Sequence, residues 1–175
     1  MTGSLAGEGF GLRRAGLADV SFWAGLAGHE DVEPFMAAVS ERDEEELGEA
    51  IRRSEEEPHL YGRFVLEADG ERAGVMAFDI ANHRSRIAYL HGIMLDPRFQ
   101  GRGLATVAAR VLVRHLVFDL DYHRVQLEVY GFNERALRHV ERAGFVREGV
   151  RRQAYWRHGE WADGVNFGIV REDLE

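Results

Sequence analysis

Apolar residues recur along the chain with two periods, and the changes between them mark the elements. Leu17 to Ala27 carries Phe22, Trp23 and Leu26 at helical spacing, and Gly28 is placed to end the helix. Ser40 to Ser54 is a second predicted helix, with Leu47, Ala50 and Ile51 as a thin apolar stripe among glutamates and Pro58 beyond its end. In Leu104 to Leu120 the apolar residues fall at 104, 107, 108, 111, 112, 116 and 120, opposite Arg110 and Arg114, which predicts an amphipathic helix. Asn133 caps a last helix running through Ala143, closed by Gly144. Elsewhere the signals are those of strands: Phe10 to Arg14, Leu60 to Ala68, Ala73 to Ile80, Arg86 to Leu95 and Arg124 to Tyr130. Gly70 turns one hairpin, and Phe145 to Trp156 with Trp161 to Val170 form another around His158-Gly159.

This order predicts one mixed α/β domain over residues 1–175, its sheet mostly antiparallel. Residues 86 to 130 form a central βαβ unit, whose two strands run parallel with a right-handed crossover. The composition, 45% hydrophobic and 30% charged, is that of a globular chain. No run approaches the roughly 20 apolar residues of a membrane span, and Met1 to Gly11 lacks the regions of a signal peptide, so a cytoplasmic protein is expected. Cys is absent, which excludes disulfides, thiolate metal sites and a cysteine acyl intermediate. All 22 basic residues are Arg, which excludes lysine Schiff bases and a P-loop lysine. No two His show metal-ligand spacing, so no metal is expected.

The net charge of −8 argues against a general nucleic-acid or membrane binder, but its distribution is uneven. Glu41 to Glu57 holds nine acidic residues and three Arg, whereas Arg98 to Arg152 holds eleven Arg and six acidic residues. The acidic stretch reads as a solvated helix face, and the second region as one that can meet an anion.

The segment that carries chemistry is Leu95-Asp96-Pro97-Arg98-Phe99-Gln100-Gly101-Arg102-Gly103-Leu104-Ala105. A strand ends, two glycines allow a tight turn and a helix begins at once, so backbone N–H groups at the positive end of the helix dipole can meet a pyrophosphate. Arg98 and Arg102 add cationic charge. A dinucleotide fingerprint fits Gly101 and Gly103 but meets Thr106 at its third position, and the chain offers one βαβ unit where that fold needs more.

The loop resembles Gln/Arg-x-x-Gly-x-Gly/Ala, the acyl-CoA signature of the GNAT N-acetyltransferase superfamily, with Gln100, Gly103 and Ala105 on its fixed positions. Asn133-Glu-Arg-Ala136 through Ala143-Gly144-Phe145 resembles the second GNAT signature. Glu148-Gly149, Arg152, Gly159 and Asp163 resemble the branch of ribosomal-protein-alanine and spermidine acetyltransferases. The resemblance implies a GNAT-like sheet with helices on both faces and direct acetyl transfer from acetyl-CoA to a primary amine of a small molecule or protein N-terminus. It places the cofactor core at about 86–145 and the acceptor region in 17–57 and 150–165, and allows a homodimer. The strands on either side of the glycine loop's helix should splay apart. Ile93, Met94 and Leu95 would pair with the pantetheine arm, with the Met94 N–H as donor to the thioester carbonyl. Gln100, Gly101, Arg102, Gly103, Leu104 and Ala105 would hold the pyrophosphate, and Asn133 would cap its helix and contact the arm.

An amine nucleophile must lose a proton, and two residues could take it: Glu128, which alternation places on one strand face with Gln126 and Tyr130, and His91 on the preceding strand. The chain departs from the resemblance at Val140, where relatives often carry a Tyr that protonates the departing thiolate, and at Leu90, where spermidine-type members carry a Glu. The general acid stays open between Tyr130, a water and none. A second reading, motivated by Val140, is a non-catalytic acyl-CoA sensor. The aromatic residues Trp23, Phe35, Tyr155, Trp156 and Trp161, with Met36, mark the acceptor region.

Overall fold

The computed structural model describes residues 5–7, 9–36 and 42–175. Among them eight strands form one sheet: β1 Leu5–Gly7, β2 Phe10–Arg14, β3 Tyr61–Ala68, β4 Glu71–Asn82, β5 Ile87–Leu95, β6 Arg124–Tyr130, β7 Val146–Arg157 and β8 Glu160–Val170. They lie in the order β1-β2-β3-β4-β5-β6-β8-β7. Only β5 and β6 pair in parallel; every other neighbouring pair is antiparallel. Four α-helices accompany the sheet among the described residues: α1 Val20–Ala27, α2 Glu44–Glu56, α3 Leu104–Arg114 and α4 Glu134–Arg142.

Local chemistry sets the element boundaries. The helix expected from Leu17 opens as a 3-10 turn, Leu17–Asp19, because the Asp19 carboxylate accepts from the Gly16 N–H and is fixed by Arg13. α2 begins at Glu44 rather than Ser40, since the Asp43 carboxylate accepts from the N–H groups of Glu45 and Glu46 and caps the helix there. Residues 40 and 41 of the expected helix lie outside the described residues. α3 gives way at His115–Asp119 to a π turn, where a single helix to Leu120 was expected. The strand at Leu5–Gly7 has no counterpart in the sequence reading; three residues carry no usable periodicity.

Each face of the sheet packs against helices, as the resemblance implied. On one face Leu12, Phe64, Met76, Phe78 and Phe167 pack with Leu104, Leu112 and Val140 of α3 and α4. On the other, Val65, Val75 and Ala77 pack with Trp23, Leu26, Leu47 and Ile51 of α1 and α2. Those large side chains are almost wholly buried, each contributing about 1.5–3 kcal/mol of transfer free energy.

Two features of β5 position the site. Val75 stands opposite Met94, but Ala77 stands opposite His91, so Gly92 and Ile93 together face Met76 in a bulge. Gly92 takes φ +60°, which a side chain would resist. The extra residue resets the alternation: Leu90 points to the α3–α4 side, and beyond the bulge Ile93 and Leu95 do so again while Met94 packs toward α1. The second feature is a splay. β5 and β6 pair only where Ile87, Ala88 and Tyr89 meet Arg124, Val125 and Gln126, and beyond that point they separate.

Candidate active site

A cavity of about 780 Å³ fills the splay. One end lies beside the glycine turn, where Leu95, Gln100, Ala105 and Asn133 line it. Gly101 and Gly103 take φ +78° and +76°, both in the left-handed region. No side chain caps the N-terminus of α3, and a Cβ on Gly103 would project into open space. The turn thus presents N–H groups and a vacant approach, a fit for the pyrophosphate of an acyl-CoA. Gln100 is braced, donating to the Leu95 carbonyl at 3.2 Å and accepting from Arg135 at 2.8 Å. Asn133 caps α4 as the sequence suggested, accepting from the Ala136 N–H at 3.1 Å, and it lines the cavity.

Gly101, Arg102, Gly103 and Leu104 form the turn beside the cavity and do not line it. The guanidinium of Arg102 pairs with Asp69 at 2.7 Å and that of Arg98 with Asp96 and Glu71, so both expected phosphate cations are engaged elsewhere. Arg135 and Arg138 of α4 reach the cavity in their stead, a pair the sequence reading passed over.

The backbone of β5 also differs from the expectation. The Asp96 N–H donates to Ala73 on β4, whereas the Leu95 carbonyl is turned to Gln100. Since backbone groups alternate along a strand, Met94 faces β4, and Ile93 and Leu95 offer their N–H groups to the gap. Met94 lines the cavity with its side chain but is not the N–H donor the resemblance suggested.

At the other end stand Glu128 and His91, both lining the cavity. The Glu128 side chain is 8% exposed, and Arg151 approaches it at 3.2 Å. The Tyr155 hydroxyl donates to the Glu128 carboxylate in a short hydrogen bond. Gly164 on β8 leaves room for that carboxylate; a Cβ there would come within 2.7 Å of its Cδ. Burial pushes the Tyr155 phenol up, and Glu128 adds to this, to about 12, so at neutral pH it remains a donor. Burial likewise raises Tyr130, which lies edge-on to Tyr155 at 5.1 Å.

His91 has its Nε2 3.1 Å from Asp79, whose carboxylate also accepts from Arg63 at 2.7 Å. Burial alone would raise the Asp79 carboxyl. The hydrogen bonds from His91 and Arg63, with their charges, outweigh it and hold the group well below the usual carboxylate range. The sequence reading missed Asp79 and the Tyr155–Glu128 contact. A charged residue interrupting the apolar run from Gly74 to Ile80 was the available signal for the first.

From the expected acceptor region the cavity takes Asp31, Val32, Phe35, Met36 and Tyr155. Trp23 is instead core, 1% exposed, while Trp156 and Trp161 meet edge to face, each 59% exposed. None of the described residues of the acidic stretch 42–57 lines the cavity. No cluster of metal-ligating side chains occurs among the described residues.

Comparison with known proteins places this geometry. The Acetyltransferase (GNAT) family profile matches residues 27–145, more than half of the chain. The chain belongs to the GNAT acetyltransferase family. A probable N-acetyltransferase, YjcK of Bacillus subtilis, is 30% identical over 71% of this chain and 68% of its own length. Spermidine N(1)-acetyltransferase of Escherichia coli is 33% identical over 62% of this chain and 58% of that protein. The match to several curated relatives thus spans less than two thirds of their length. Among solved structures, a spermidine N-acetyltransferase from Vibrio cholerae superposes with TM-score 0.81 at 23% identity, covering 97% of this chain and 98% of that one. Ribosomal-protein-S5-alanine acetyltransferase from Vibrio fischeri gives 0.83 at 19% identity, covering 99% of both chains. These superpositions extend the likeness of fold over nearly the whole chain, and at such identities they carry the fold alone.

Proposed function

We propose that the protein is an acetyl-CoA-dependent N-acetyltransferase acting on a primary amine, of a small molecule or a protein N-terminus, in a ternary complex. The observation that carries this is one cavity, running through the gap between β5 and β6, with a glycine turn at one end and Glu128 and His91 at the other. When bound, acetyl-CoA supplies an activated thioester. The turn from Gln100 to Ala105 would hold its pyrophosphate, with Arg135 beside it, and the Ile93 and Leu95 backbone would pair with its amide arm. The Ile93 N–H is available as an oxyanion-type donor, worth about 3 kcal/mol where well placed.

Glu128 and His91 both face the side on which an amine can enter, and each is oriented by a second group. Tyr155 and Arg151 fix Glu128; Asp79 fixes His91. Of the two, Glu128 is the favoured proton acceptor, because its carboxylate is buried inside the splay itself. Tyr155 and Tyr130, both protonated at neutral pH, line the cavity and could return a proton to a leaving thiolate. Three of the four carboxylates that line the cavity, Asp79, Glu128 and Glu134, are paired with Arg63, Arg151 and Arg138 respectively. That balance favours an acceptor carrying a single amine over a polycation such as spermidine.

The test is release of free CoA thiol from acetyl-CoA in the presence of amino acids, short peptides and polyamines. The proposal predicts turnover with monoamines. CoA binding with no turnover across the panel would support the sensor reading.

A further inference from the structure

Exposed apolar side chains scattered singly over a surface need no explanation, but two large ones standing together on the wall of a substrate cavity do. Phe35 and Phe132 are such a pair, 46% and 43% exposed, and both line the cavity between β5 and β6. They come from distant parts of the chain, the 3-10 turn Glu33–Phe35 and the loop between β6 and α4. Together they end a continuous run of rings that starts at Glu128. Tyr155, whose hydroxyl donates to the Glu128 carboxylate, meets the Tyr130 ring edge to face at 5.1 Å. Tyr130, only 6% exposed, stacks on Phe132 at 5.1 Å, and Phe35 lies 6.2 Å from Phe132, tilted by 40°. Exposure therefore rises along the run, from the proton acceptor outward.

The turn that carries Phe35 is held from behind by the β7–β8 hairpin. Arg157 donates to the Glu33 carbonyl at 3.3 Å, and the His158 Nε2 donates to the Pro34 carbonyl at 3.0 Å. The His158 ring in turn lies edge-on to Phe132 at 6.3 Å. These contacts assemble the aromatic wall before any acceptor binds, so little ordering cost is left to the ligand that covers it. Charge at the same site narrows what that ligand can be. Asp79 and Glu128 take up Arg63 and Arg151, so a carboxylate beside the acceptor's amine would meet like charge. A second ammonium group would be left with Asp31, two-thirds exposed and screened by water.

We infer that this run of rings receives the body of the acceptor, and that the protein acetylates arylalkylamines in preference to polyamines and free amino acids. The inference rests on the acetyltransferase reading above and names its acceptor. An arylalkylamine arrives as ammonium and first loses a proton, with Glu128 as the favoured acceptor. Its nitrogen then attacks the thioester carbon. The C–N bond forms, the C–S bond breaks, and the second amine proton goes to the departing sulfur, leaving an N-acetyl amide and free CoA thiol. The aryl group lies against Phe132 and Phe35 throughout, burying ring faces that are otherwise exposed to water.

The experiment is release of free CoA thiol from acetyl-CoA with ethylamine, 2-phenylethylamine, phenylalanine and spermidine as acceptors. The value of kcat/KM for 2-phenylethylamine should exceed that for ethylamine by about tenfold to a hundredfold, as burial of one aromatic ring allows. Phenylalanine and spermidine should both fall below 2-phenylethylamine. In Phe35→Ala and in Phe132→Ala the ratio of 2-phenylethylamine to ethylamine should drop about fivefold or more, mainly through KM. Each variant tests the wall alone should the other fail to fold. A ratio near one in the parent, or faster turnover of spermidine or phenylalanine, would overturn the inference and leave the acetyltransferase reading intact. A ratio undiminished in both variants would also overturn it, by placing the aryl group elsewhere. No thiol release with any of the four acceptors would overturn the acetyltransferase reading and this inference together.

Discussion

Glu128 is held by contacts from three directions, the Tyr155 hydroxyl, the Arg151 guanidinium and the bare backbone of Gly164. Glu128→Gln keeps the shape and removes the base, so kcat should fall by about a hundredfold or more while CoA affinity stays the same. An unaltered pH–rate profile in that variant would remove Glu128 from the role. Gly164→Ala pushes a methyl group against the end of a flexible side chain. Its melting temperature should stay close to that of the parent, and kcat should drop on the order of tenfold to a hundredfold. Asp79 makes a stability prediction. Its carboxyl sits lower in the folded chain than in the unfolded one, where it titrates near about 3.9, so its contribution is present above that pH and is lost as pH falls further. Asp79→Asn should cost about 1–2 kcal/mol at pH 7, between an exposed and a buried ion pair because the carboxylate is one-third exposed, and should flatten the acid limb of a stability–pH curve. Alternation alone put Glu128 and His91 on usable faces. It could not show Tyr155 or Asp79 beside them, because those contacts join strands far apart in sequence. Nor could it show the bulge at Gly92 and Ile93 that turns Met94 toward β4.

Element by element, the punctuation residues were the most legible part of the chain. Asn133 and Gly144 bracket α4 where the sequence placed them, and Gly103 opens α3. Boundaries moved where a side chain outside the periodic pattern took over the cap, as Asp43 does for α2. Asp43→Ala should therefore lower stability by about 1 kcal/mol, read as a drop of roughly 2–4 °C in melting temperature. Gly103→Val should cost about 1–3 kcal/mol because a β-branched residue resists φ +76°. It should also abolish CoA binding, by filling the open approach to the turn. Calorimetry below the variant's melting temperature separates the two effects, and unchanged CoA affinity would sink the assignment of the turn. The charge of the turn was the least legible feature: Arg98 and Arg102 look available in sequence and are paired in space with residues of the β3–β4 hairpin and with Asp96.

Across the whole molecule, element order carried the topology: one parallel pair, placed between antiparallel flanks, with helices on both faces. That arrangement disfavours the dinucleotide-binding alternative, which needs consecutive parallel strands and finds a single parallel pair among the described residues. What order alone could not convey is the splay, since it depends on where pairing stops, after Tyr89 and Gln126, and not on which strands pair. The central claim is that this splay is an acyl-CoA site. Thermal unfolding of the pure protein with acetyl-CoA, with NAD and with no ligand tests it most directly. At a hundred times its dissociation constant, acetyl-CoA should stabilise the fold by about 2.7 kcal/mol while NAD leaves it unchanged. No shift with acetyl-CoA, or a shift with NAD alone, would contradict the account.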